Sequence, residues 1–503
     1  MLPTIFFILL AVQIMMGAFD MLFHHELTER LAWRQSQRKE LFLHGLRNGF
    51  YAVLFIAFGT LQLQGFFAWI ALGILAAELV ITLIDFVEED QTRKLPWSER
   101  VLHTLLALNY GALLVFLVPV LWEYTALPTA LVPVHYGWWT VFLLASACAV
   151  APFCLRDIAA SKRLVCLPRQ PIAPLVHLDM PKQSILVTGG TGFIGRRLVE
   201  ALVAGGHRVT VLTRDAERAA DLAMPLTIIT SLDQISDDAN VDTIINLAGE
   251  PIVGGFWTYR FRKKVLASRV NMTDALIELI ARLETRPRAL ISGSAIGAYG
   301  AQLDDVTSEI DAPKDDGSFS WRLCNAWEAA AMKAEAYGVR TVCLRTGIVL
   351  DRDGGSLGQM LVPFDLCVGG PFGDGQHWMS WVSRDDLVRI IQHAVVDQRI
   401  TGPLNGVAPQ PIQNCAFSMA VGRALGRPVW ARIPRIPLEL FLGDLAREIF
   451  FSDQQIVSIK LSETGFEYLN PDLQSALEAQ FGHRDAPNNP IETMPFPGLL
   501  VNK

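Results

Sequence analysis

The pattern of apolar residues divides the chain into two unlike parts. In the first part, apolar stretches run approximately over residues 2–23, 41–62, 66–87, 101–122 and 138–155. Each stretch is close to the roughly 20 residues that cross about 30 Å of hydrocarbon as a helix. From Gln183 onward, short β-branched runs alternate with segments that are apolar at helical spacing. The pattern therefore predicts an all-α transmembrane bundle of five helices over residues 1–160, followed by an α/β domain.

The loops between the apolar stretches predict the orientation of the bundle. Three of the segments that flank the stretches carry basic residues, namely Arg30, Arg34, Arg38, Lys39, Arg93, Lys94, Arg100, Arg156, Lys162, Arg163 and Arg169. The other two, "LQLQG" and "EYTALPTALVPVHYG", contain neither Lys nor Arg. Basic residues stay on the cytoplasmic side of a membrane. We therefore expect five spans with the N-terminus outside, in the inner (cytoplasmic) membrane, and a cytoplasmic second domain.

Composition agrees with a membrane protein and excludes other classes. Half of the chain (51%) is hydrophobic and only 18% is charged. The formal net charge of −7 provides no basic excess for a phosphate backbone, so nucleic acid is not an expected partner. The seven cysteines are scattered without paired spacing, which argues against a disulfide framework. The expected partners are the lipid bilayer and a small-molecule or lipid-linked substrate.

Ionisable residues gather near the predicted cytoplasmic ends of the first four spans. They are Asp20, His24, His44, Asp85, Glu99 and His103. Residues four positions apart, such as Asp20 and His24, share one helical face. One interpretation is a set of interfacial charges that snorkel or pair with Arg47 and Arg100. The other is a His/carboxylate site for a metal, a quinone or a proton path, for which these six residues are the candidate ligands.

The second part predicts a doubly wound sheet. Its strands are "SILVTG", "HRVTVLTR", "LTIIT", "DTIINLAG", "RALISGS" and "RTVCLRTG", with helices between them. Strands that alternate with helices imply a parallel, Rossmann-like sheet. Residues 161–182 include four prolines in "PRQPIAPLVHLDMP" and are predicted to be a linker. The dinucleotide-binding domain is placed over residues 183–430.

A glycine-rich turn follows the first of these strands. Gly189, Gly192 and Gly195 form GxxGxxG between the strand and an amphipathic helix. The first glycine permits a tight turn, the second lets the backbone approach a pyrophosphate, and the third lets the helix pack near the strand. The N-terminus of the helix supplies N–H groups and partial positive charge. The pattern predicts a dinucleotide site whose other residues in the turn are Thr191, Phe193 and Ile194.

The end of the second strand indicates which nucleotide is bound. An acidic residue there would bind a ribose 2′-hydroxyl, but this chain has Thr213 followed by Arg214. An arginine can pair with a 2′-phosphate. We therefore expect NADP(H), with NAD(H) less favoured. In the alternative, Arg214 is a solvated loop charge and Asp215 reaches the ribose.

Several sequence blocks resemble the extended short-chain dehydrogenases/reductases. They are "ILVTGGTGFIG", "INLAGEPI", "LISGSAIGAYG", "RLCNAWEAAA", "CLRTGIVLDRDGGSLGQML" and "GPLNGVAPQPI". In this order they are similar to a bacterial epimerase-like subfamily that is often labelled as cell-division-inhibitor related. The stretch "FSDQQIVSIKLSETGFEYLNPDLQSALE" is similar to the small C-terminal domain of unknown function in that subfamily. This places a C-terminal domain over residues 431–503, and the resemblance adds Leu247, Ala248 and Gly249 to the expected cofactor site.

The resemblance also implies a Ser, a Tyr and a Lys that act on the substrate oxygen, with Tyr and Lys in a YxxxK arrangement. Ser294 falls on the serine position, whereas Ser320 occupies the tyrosine position and Cys324 the lysine position beside the cofactor. Serine is a poor acid and a thiol brings no cation, so neither replacement can do the original work. Tyr299 is a second catalytic candidate as the acid. Its alternative role is a phenol that packs or positions the substrate.

Three functions remain open on the sequence. The leading one is a membrane-anchored NADP(H)-binding oxidoreductase or epimerase-like protein with a lipid-linked or quinone-like substrate. The second is a non-catalytic module that senses NADP(H), which the altered YxxxK positions favour. The third is an NADPH-linked electron donor to a metal or quinone site in the bundle.

Overall fold

A computed structural model describes residues 2–93, 95–177 and 179–482, with only the backbone of Arg218. These residues form two compact units that divide between Leu167 and Pro168. We call them the N-terminal unit and the C-terminal unit. The last part of the predicted C-terminal domain, residues 483–503, lies outside the described residues.

The described part of the N-terminal unit contains five long helices, which confirms the predicted number. They are α1 (Thr4–Phe19), α2 (Arg38–Thr60), α3 (Phe66–Thr92), α4 (Trp97–Thr125) and α5 (Trp138–Cys166). The five helical spans Thr4–Glu29, Gln35–Thr60, Phe66–Thr92, Trp97–Thr125 and Trp138–Cys166, which contain these helices, are long and apolar enough to cross a membrane, by length and composition. Helix α1 continues directly into a π-helical segment over Asp20–Glu29. Helix α5 extends past residue 161, so the start of the predicted linker is helical.

The N-terminal unit buries charged groups and exposes apolar ones. Its buried carboxylates are Asp20, Glu26, Glu40, Glu78, Asp85, Glu89, Glu99 and Asp157. Its exposed side chains include Met15, Val80, Leu108, Val115, Trp122 and Trp138. Water-soluble proteins show the opposite preference. This arrangement is compatible with a membrane anchor, because ionisable groups in a membrane face the interior of the bundle.

Two short strands join the loops that lack basic residues. Strand β1 (Leu61–Gln64) pairs antiparallel with β2 (Ala130–Pro133). The loop after α2 and the loop after α4 therefore lie at one end of the unit, as an alternating path of the helices requires.

The C-terminal unit is built around a seven-stranded parallel sheet. The strands of the whole unit are β3 (Ser184–Thr188), β4 (Arg208–Leu212), β5 (Thr227–Ile229), β6 (Thr243–Asn246), β7 (Ala289–Ala295), β8 (Arg340–Thr346), β9 (Ile348–Asp351), β10 (Trp378–Met379), β11 (Trp381–Ser383), β12 (Gly402–Gly406) and β13 (Ile412–Gln413). Strands β9 and β11 form one two-stranded pair and β10 and β13 another. The order in the large sheet is β5-β4-β3-β6-β7-β8-β12. This confirms the doubly wound fold. The edge strand β12 is additional to the six predicted strands.

Helices cover both faces of the sheet. They are α6 (Phe193–Ala204), α7 (Ala216–Ala219), α8 (Tyr259–Arg282), α9 (Phe319–Met332), α10 (Gly355–Asp365), α11 (Arg384–Val396), α12 (Asn414–Leu425), α13 (Arg435–Leu442), α14 (Ile459–Glu463) and α15 (Leu473–Phe481). Ile185 and Val187 of β3 pack in a core with residues of α6 and α11. Leu186 packs on the other face with residues of α8. Successive side chains point to opposite faces, so the continuous apolar runs suit a strand buried on both sides.

The topology places one crevice at the carboxyl ends of the strands. The strand order reverses between β3 and β6, and ligands of open α/β sheets bind outside the carboxyl ends at such a point. The segment between α14 and α15 is fixed to the start of α11. The buried carboxylate of Asp386 on α11 accepts hydrogen bonds from the backbone N–H groups of Leu469 (2.6 Å) and Asn470 (3.0 Å).

Candidate nucleotide site and active-site region

The glycine turn lies between β3 and α6. Gly189 has a φ of +71°, a backbone conformation that favours glycine. A Cβ atom on Gly189 would lie 2.6 Å from the carbonyl carbon of Leu247, and one on Gly195 would lie 2.2 Å from the carbonyl oxygen of Gly189. The Gly192 N–H donates to that same oxygen at 2.9 Å. The turn is therefore so tight that Gly189 and Gly195 have no room for a side chain.

The first turn of α6 presents backbone N–H groups at this crevice. Gly192 is the N-cap residue, and within the described ranges no side chain caps this end of the helix. The first N–H groups of a helix lack intrahelical acceptors, and the helix dipole adds partial positive charge. The arrangement fits a pyrophosphate next to Phe193 and Ile194, with Thr191 immediately before the N-cap residue.

The segment after β6 forms the neighbouring wall. The Leu247 N–H donates to the carbonyl oxygen of Thr188 at 3.1 Å, which holds this segment beside β3. A Cβ atom on Gly249 would lie 2.8 Å from Cζ of Arg269. The Arg269 guanidinium is buried, and it donates to the carbonyl oxygen of Glu250 at 3.0 Å. The predicted residues Leu247, Ala248 and Gly249 therefore follow the strand that borders the switch point.

The two candidate ribose-binding residues after β4, Arg214 and Asp215, have different surroundings. The Thr213 hydroxyl accepts a hydrogen bond from the Asp215 N–H at 3.2 Å. Oδ1 of Asp215 accepts from the Glu217 N–H at 3.1 Å, at the start of α7. Arg214 is exposed at the end of the strand next to β3. The Asp215 carboxylate therefore has a local structural partner, and the geometry favours Arg214 as the residue that reaches a ribose substituent.

Ser294 lies at the carboxyl end of β7 and is held by an ion pair. Its hydroxyl donates to Oε1 of Glu328 on α9 at 2.6 Å. Glu328 also accepts two hydrogen bonds from Arg345, at 2.9 Å from Nε and 2.8 Å from Nη2. Ser294 and Arg345 are register partners on β7 and β8. The hydroxyl proton of Ser294 is thus directed at a carboxylate.

Tyr299 continues the same network away from the strand end. Its side chain is 1% exposed, and its hydroxyl donates to Oδ1 of Asn405 at 3.0 Å. The Arg345 guanidinium lies 4.5 Å from the centre of the Tyr299 ring. Burial raises the pKa of Tyr299, although Arg345 and Asn405 act in the opposite direction. This placement favours packing or positioning over the acid role, which remains a prediction.

The two altered YxxxK positions have distinct surroundings on α9. The Ser320 hydroxyl donates to Oε2 of Glu448 at 2.6 Å, and its N–H donates to the same oxygen at 2.8 Å. Glu448 belongs to the C-terminal segment and thereby joins it to the start of α9. A Cβ atom on Gly297 would lie 3.0 Å from Cβ of Ser320 and 3.8 Å from Sγ of Cys324. Both positions thus pack against the segment that follows Ser294.

Cys324 is expected to be unreactive in the folded protein. It is buried, and burial, followed by the Glu328 carboxylate, raises its thiol pKa from 9.0 to about 11. At a pH below both values, the thiolate fraction is then about 100-fold lower than for an ordinary cysteine. Iodoacetamide at pH 8 should therefore modify Cys324 at least about 100-fold more slowly in the native chain than in the unfolded chain. Peptide mass spectrometry measures this, with the half-buried Cys415 as control. Equal rates for the two cysteines would contradict the environment described.

Sequence reasoning missed four residues of this region. They are Glu328, Arg345, Asn405 and Glu448. Glu328 lies four residues after Cys324 and so shares its helical face, a spacing that could have identified it. The other three come from distant parts of the chain, and no local pattern marks them.

Four of the six candidate metal ligands in the N-terminal unit, Asp20, His44, Glu99 and His103, lie in groups of neighbouring ligand atoms. Two groups of side chains have ligand atoms within 4.8 Å of one another: Asp20, His25, Glu99 and His103, and then His25, Glu40, His44 and Glu89. His24 and Asp85 belong to neither group. His24 instead contacts Asp20 and Ser98, and Asp85 accepts from Arg47 at 2.7 Å. The expected pairing with Arg47 is therefore present for Asp85 and, at 4.0 Å, for Glu78, whereas Arg100 contacts Asp90.

Comparisons with known proteins identify the family. The model of the NAD dependent epimerase/dehydratase family matches residues 185–403, and a domain of unknown function (DUF1731) matches residues 433–480. Epimerase family protein YfhF of Bacillus subtilis is 33% identical over 308 residues, which are 60% of this chain and 99% of that protein. The chain belongs to this epimerase family.

Epimerase family members from other organisms extend the comparison. The human epimerase family protein SDR39U1 is 34% identical over 296 residues, 58% of this chain and 98% of the relative. A crystal structure of human SDR39U1 with NADPH has a TM-score of 0.54 at 34% identity and covers 59% of this chain and 99% of that one. The match to DUF1731 agrees with the C-terminal domain that the resemblance implied. The expected connection to cell division remains a prediction, as do the domain boundaries.

Proposed function

We propose that the C-terminal unit binds NADP(H) and acts as an oxidoreductase or epimerase-like protein of the extended short-chain dehydrogenase type. The observation that carries the proposal is the N-terminus of α6, which no side chain among the described residues caps, behind a turn that has no space for side chains at Gly189 and Gly195. When bound, a nicotinamide nucleotide supplies or accepts a hydride. The chain would hold its pyrophosphate with the backbone N–H groups of Phe193, Ile194 and Gly195.

The choice of NADP(H) over NAD(H) depends on Arg214. Its guanidinium is exposed at the end of β4, where it can pair with a 2′-phosphate. The neighbouring Asp215 is engaged with the start of α7. The crystal structure of human SDR39U1 with NADPH supports the same choice.

Arg214→Ala should weaken NADPH binding and leave NADH binding almost unchanged. A hydrogen-bonded pair with a charged group contributes about 1.5–3 kcal/mol, so we expect the Kd for NADPH to rise about 10- to 100-fold. Isothermal titration calorimetry of the purified full chain with each nucleotide measures the effect. Arg208→Ala is the matched control, because Arg208 is exposed at the opposite end of the same strand. An equal loss for NADPH and NADH would refute the proposed role of Arg214.

Catalysis requires a proton as well as a hydride when a carbonyl is reduced. Ser294 can position a substrate oxygen if its hydroxyl turns away from Glu328, its partner at 2.6 Å. Neither Ser320 nor Cys324 supplies the acid and the cation of YxxxK. The substrate itself or water would then deliver the proton. Full-length protein in detergent, with NADPH and a panel of carbonyl compounds that includes lipid-linked and quinone-like molecules, tests for turnover.

The second candidate is a non-catalytic NADP(H)-sensing module. The hydroxyls of Ser294 and Ser320 both donate to carboxylates, and burial keeps the Cys324 thiol protonated. These contacts stabilise a closed polar network where a reductase would present an acid. Tight NADPH binding without oxidation of the nucleotide across the panel would favour sensing over catalysis.

We further propose that the N-terminal unit anchors the protein in the inner membrane, with the C-terminal unit in the cytoplasm. The five apolar helices and the absence of Lys and Arg from two of the loops support this arrangement. Delivery of a lipid-linked substrate, or electron transfer from NADPH to the bundle, would give the anchor a role. Phosphatase and fluorescent-protein fusions at the C-terminus test the orientation, because only a cytoplasmic C-terminus gives fluorescence without phosphatase activity.

A further inference from the structure

The N-terminal unit contains a buried cluster of imidazoles and carboxylates that the proposed function does not use. Asp20, His25, Glu99 and His103 each offer one ligand atom, and these atoms all lie within 4.8 Å of one another. Asp20 is 7% exposed, His25 is 4% and Glu99 is 0%. They come from two elements, since Asp20 and His25 lie on the π-helical segment, whereas Glu99 and His103 lie one turn apart on α4.

The distances within the cluster match those between ligands of one metal ion. Nε2 of His25 lies 3.5 Å from Oδ2 of Asp20 and 3.5 Å from Oε1 of Glu99. Nε2 of His103 lies 3.1 Å from the same Asp20 oxygen. Two atoms that each lie about 2.0–2.2 Å from a tetrahedral or octahedral ion are separated by about 3–3.5 Å. Three of the six separations between the four ligand atoms therefore match those in a coordination shell, and the other three are no longer than 4.8 Å.

No hydrogen bond within the described residues satisfies the buried Nε2 atom of His25. Its Nε2 atom is buried and makes no hydrogen bond there, because 3.5 Å exceeds the usual N–H···O range of about 2.7–3.2 Å. A buried polar atom without a hydrogen bond is costly. An ion between His25, Asp20 and Glu99 would satisfy it.

A second layer of side chains orients the four ligands. Oε2 of Glu89 lies 3.3 Å from Nδ1 of His103, so Nε2 of that ring faces Asp20. Nδ1 of His24 contacts the other Asp20 oxygen at 2.8 Å. Arg93 donates to both oxygens of Glu99, at 2.8 and 2.6 Å. Metal-bound histidines commonly give their second nitrogen to a carboxylate in this way, which fixes ring orientation and ligand basicity.

The buried carboxylates around the cluster outnumber the guanidiniums that contact them. Its buried carboxylates are Asp20, Glu40, Asp85, Glu89 and Glu99. The guanidiniums that contact them belong to Arg47 and Arg93. Buried charges are stable only when they are paired. The excess of negative charge must be offset by protons on the imidazoles or by a bound cation.

The cluster opens into a cavity of about 430 Å³. Asp20, His25 and His103 line it together with apolar side chains that include Phe55 and Leu113. This volume is within the roughly 300–1,000 Å³ of small-molecule sites. An ion at the cluster would therefore have a coordination position that faces a space suited to an apolar organic ligand.

We propose that Asp20, His25, Glu99 and His103 bind a divalent transition-metal ion. Two imidazoles with two carboxylates suit Fe²⁺, Mn²⁺ or Zn²⁺ better than soft or purely oxygen-binding ions. The adjacent group of Glu40, His44 and Glu89 shares His25 with this site and surrounds it on the side of α2 and α3. The inference rests on the N-terminal unit alone and does not depend on nucleotide binding by the C-terminal unit.

Metal content of the purified full-length chain in detergent tests the proposal. Wild-type protein, loaded with Fe²⁺, Mn²⁺ or Zn²⁺ and then desalted, should retain about one ion per chain by mass spectrometry of the elements. His25→Gln and His103→Gln should each lower retention of that ion at least tenfold. The controls are His135→Gln, an exposed loop histidine outside the cluster, and Glu88→Gln, which lies beside Glu89 but contacts Lys39.

A second measurement covers variants that fail to fold. Co²⁺ added to wild type should give visible d–d absorption bands that excess Zn²⁺ removes, and the circular dichroism and elution volume of each variant report whether it is folded. Retention of less than about 0.1 ion per chain by wild type for all three metals, with no Co²⁺ bands, would show that protonated imidazoles neutralise the cluster and would overturn the proposal. Equal retention by wild type and the two histidine variants would overturn it as well.

Discussion

Gly195→Ala should abolish measurable NADPH binding by the full-length chain. The added Cβ atom would lie 2.2 Å from the backbone oxygen of Gly189, a distance that real Cβ atoms do not show. The start of α6 would have to move away from β3, and its N–H groups would leave the position that suits a pyrophosphate. We expect the Kd to rise at least about 100-fold, or roughly 2.7 kcal/mol. Calorimetric titration with NADPH measures the change.

The control for this result is Gly111→Ala on α4. Gly111 has no non-neighbouring heavy atom within 4 Å of the added Cβ position, so NADPH affinity should stay within about twofold of wild type. Hydrogen exchange of β3 and β6 separates a local change in the turn from unfolding of the unit. Wild-type affinity in a folded Gly195→Ala protein would show that the nucleotide does not use the N-terminus of α6.

The main elements of both units could be predicted because their patterns are local. Five long apolar stretches predicted five helices, and β-branched runs such as "SILVT" and "TIIN" predicted buried strands of the sheet. The missed strand β12 has the sequence "GPLNG". Glycine, proline and asparagine are depleted in strands, and this edge strand is formed through its pairing with β8, which no local pattern reveals.

The sequence analysis named His24 as a candidate ligand and not His25, whereas in the structure it is His25 whose ligand atom lies within 4.8 Å of those of Asp20, Glu99 and His103. The sequence argument assumed an α-helix, in which residues four apart share a face. The segment Asp20–Glu29 is instead a π-helix, whose i to i+5 hydrogen bonds bring His25 onto the side of Asp20 that faces Glu99. His24 keeps its i+4 contact with the other oxygen of Asp20. Asp20, Glu99 and His103 were thus among the residues that the sequence analysis named, whereas His25 was not.

In the active-site region, the sequence predicted only the residues that belong to a recognisable motif. Ser294 and the altered positions Ser320 and Cys324 could be located by resemblance, yet their partners could not. Glu328 is bound by Arg345 from the next strand, and Glu448 reaches Ser320 from the C-terminal segment. Such pairs depend on tertiary packing, which one sequence does not display.

Arg345→Met should destabilise the C-terminal unit more than any surface substitution. Arg345 is 2% exposed and donates twice to Glu328. Its removal leaves the Glu328 carboxylate, whose side chain is 13% exposed, without its cation. Breaking one partner out of a buried pair costs about 3–5 kcal/mol. Urea unfolding of the full chain, followed by hydrogen exchange at the amides of β7 and β8, measures the loss in unfolding free energy.

Two further variants separate a buried-charge effect from lost packing. In Arg345→Met/Glu328→Gln the unpaired charge is gone, so part of the stability should return relative to Arg345→Met alone. Lys333→Met breaks the pair between Lys333 and Asp274, whose side chains are 58% and 40% exposed. Exposed pairs contribute about 0–1 kcal/mol, so this variant should remain close to wild type. If Arg345→Met loses no more than Lys333→Met, the carboxylate must find water or another donor, and the network around Ser294 is then mobile enough to release its hydroxyl to a substrate.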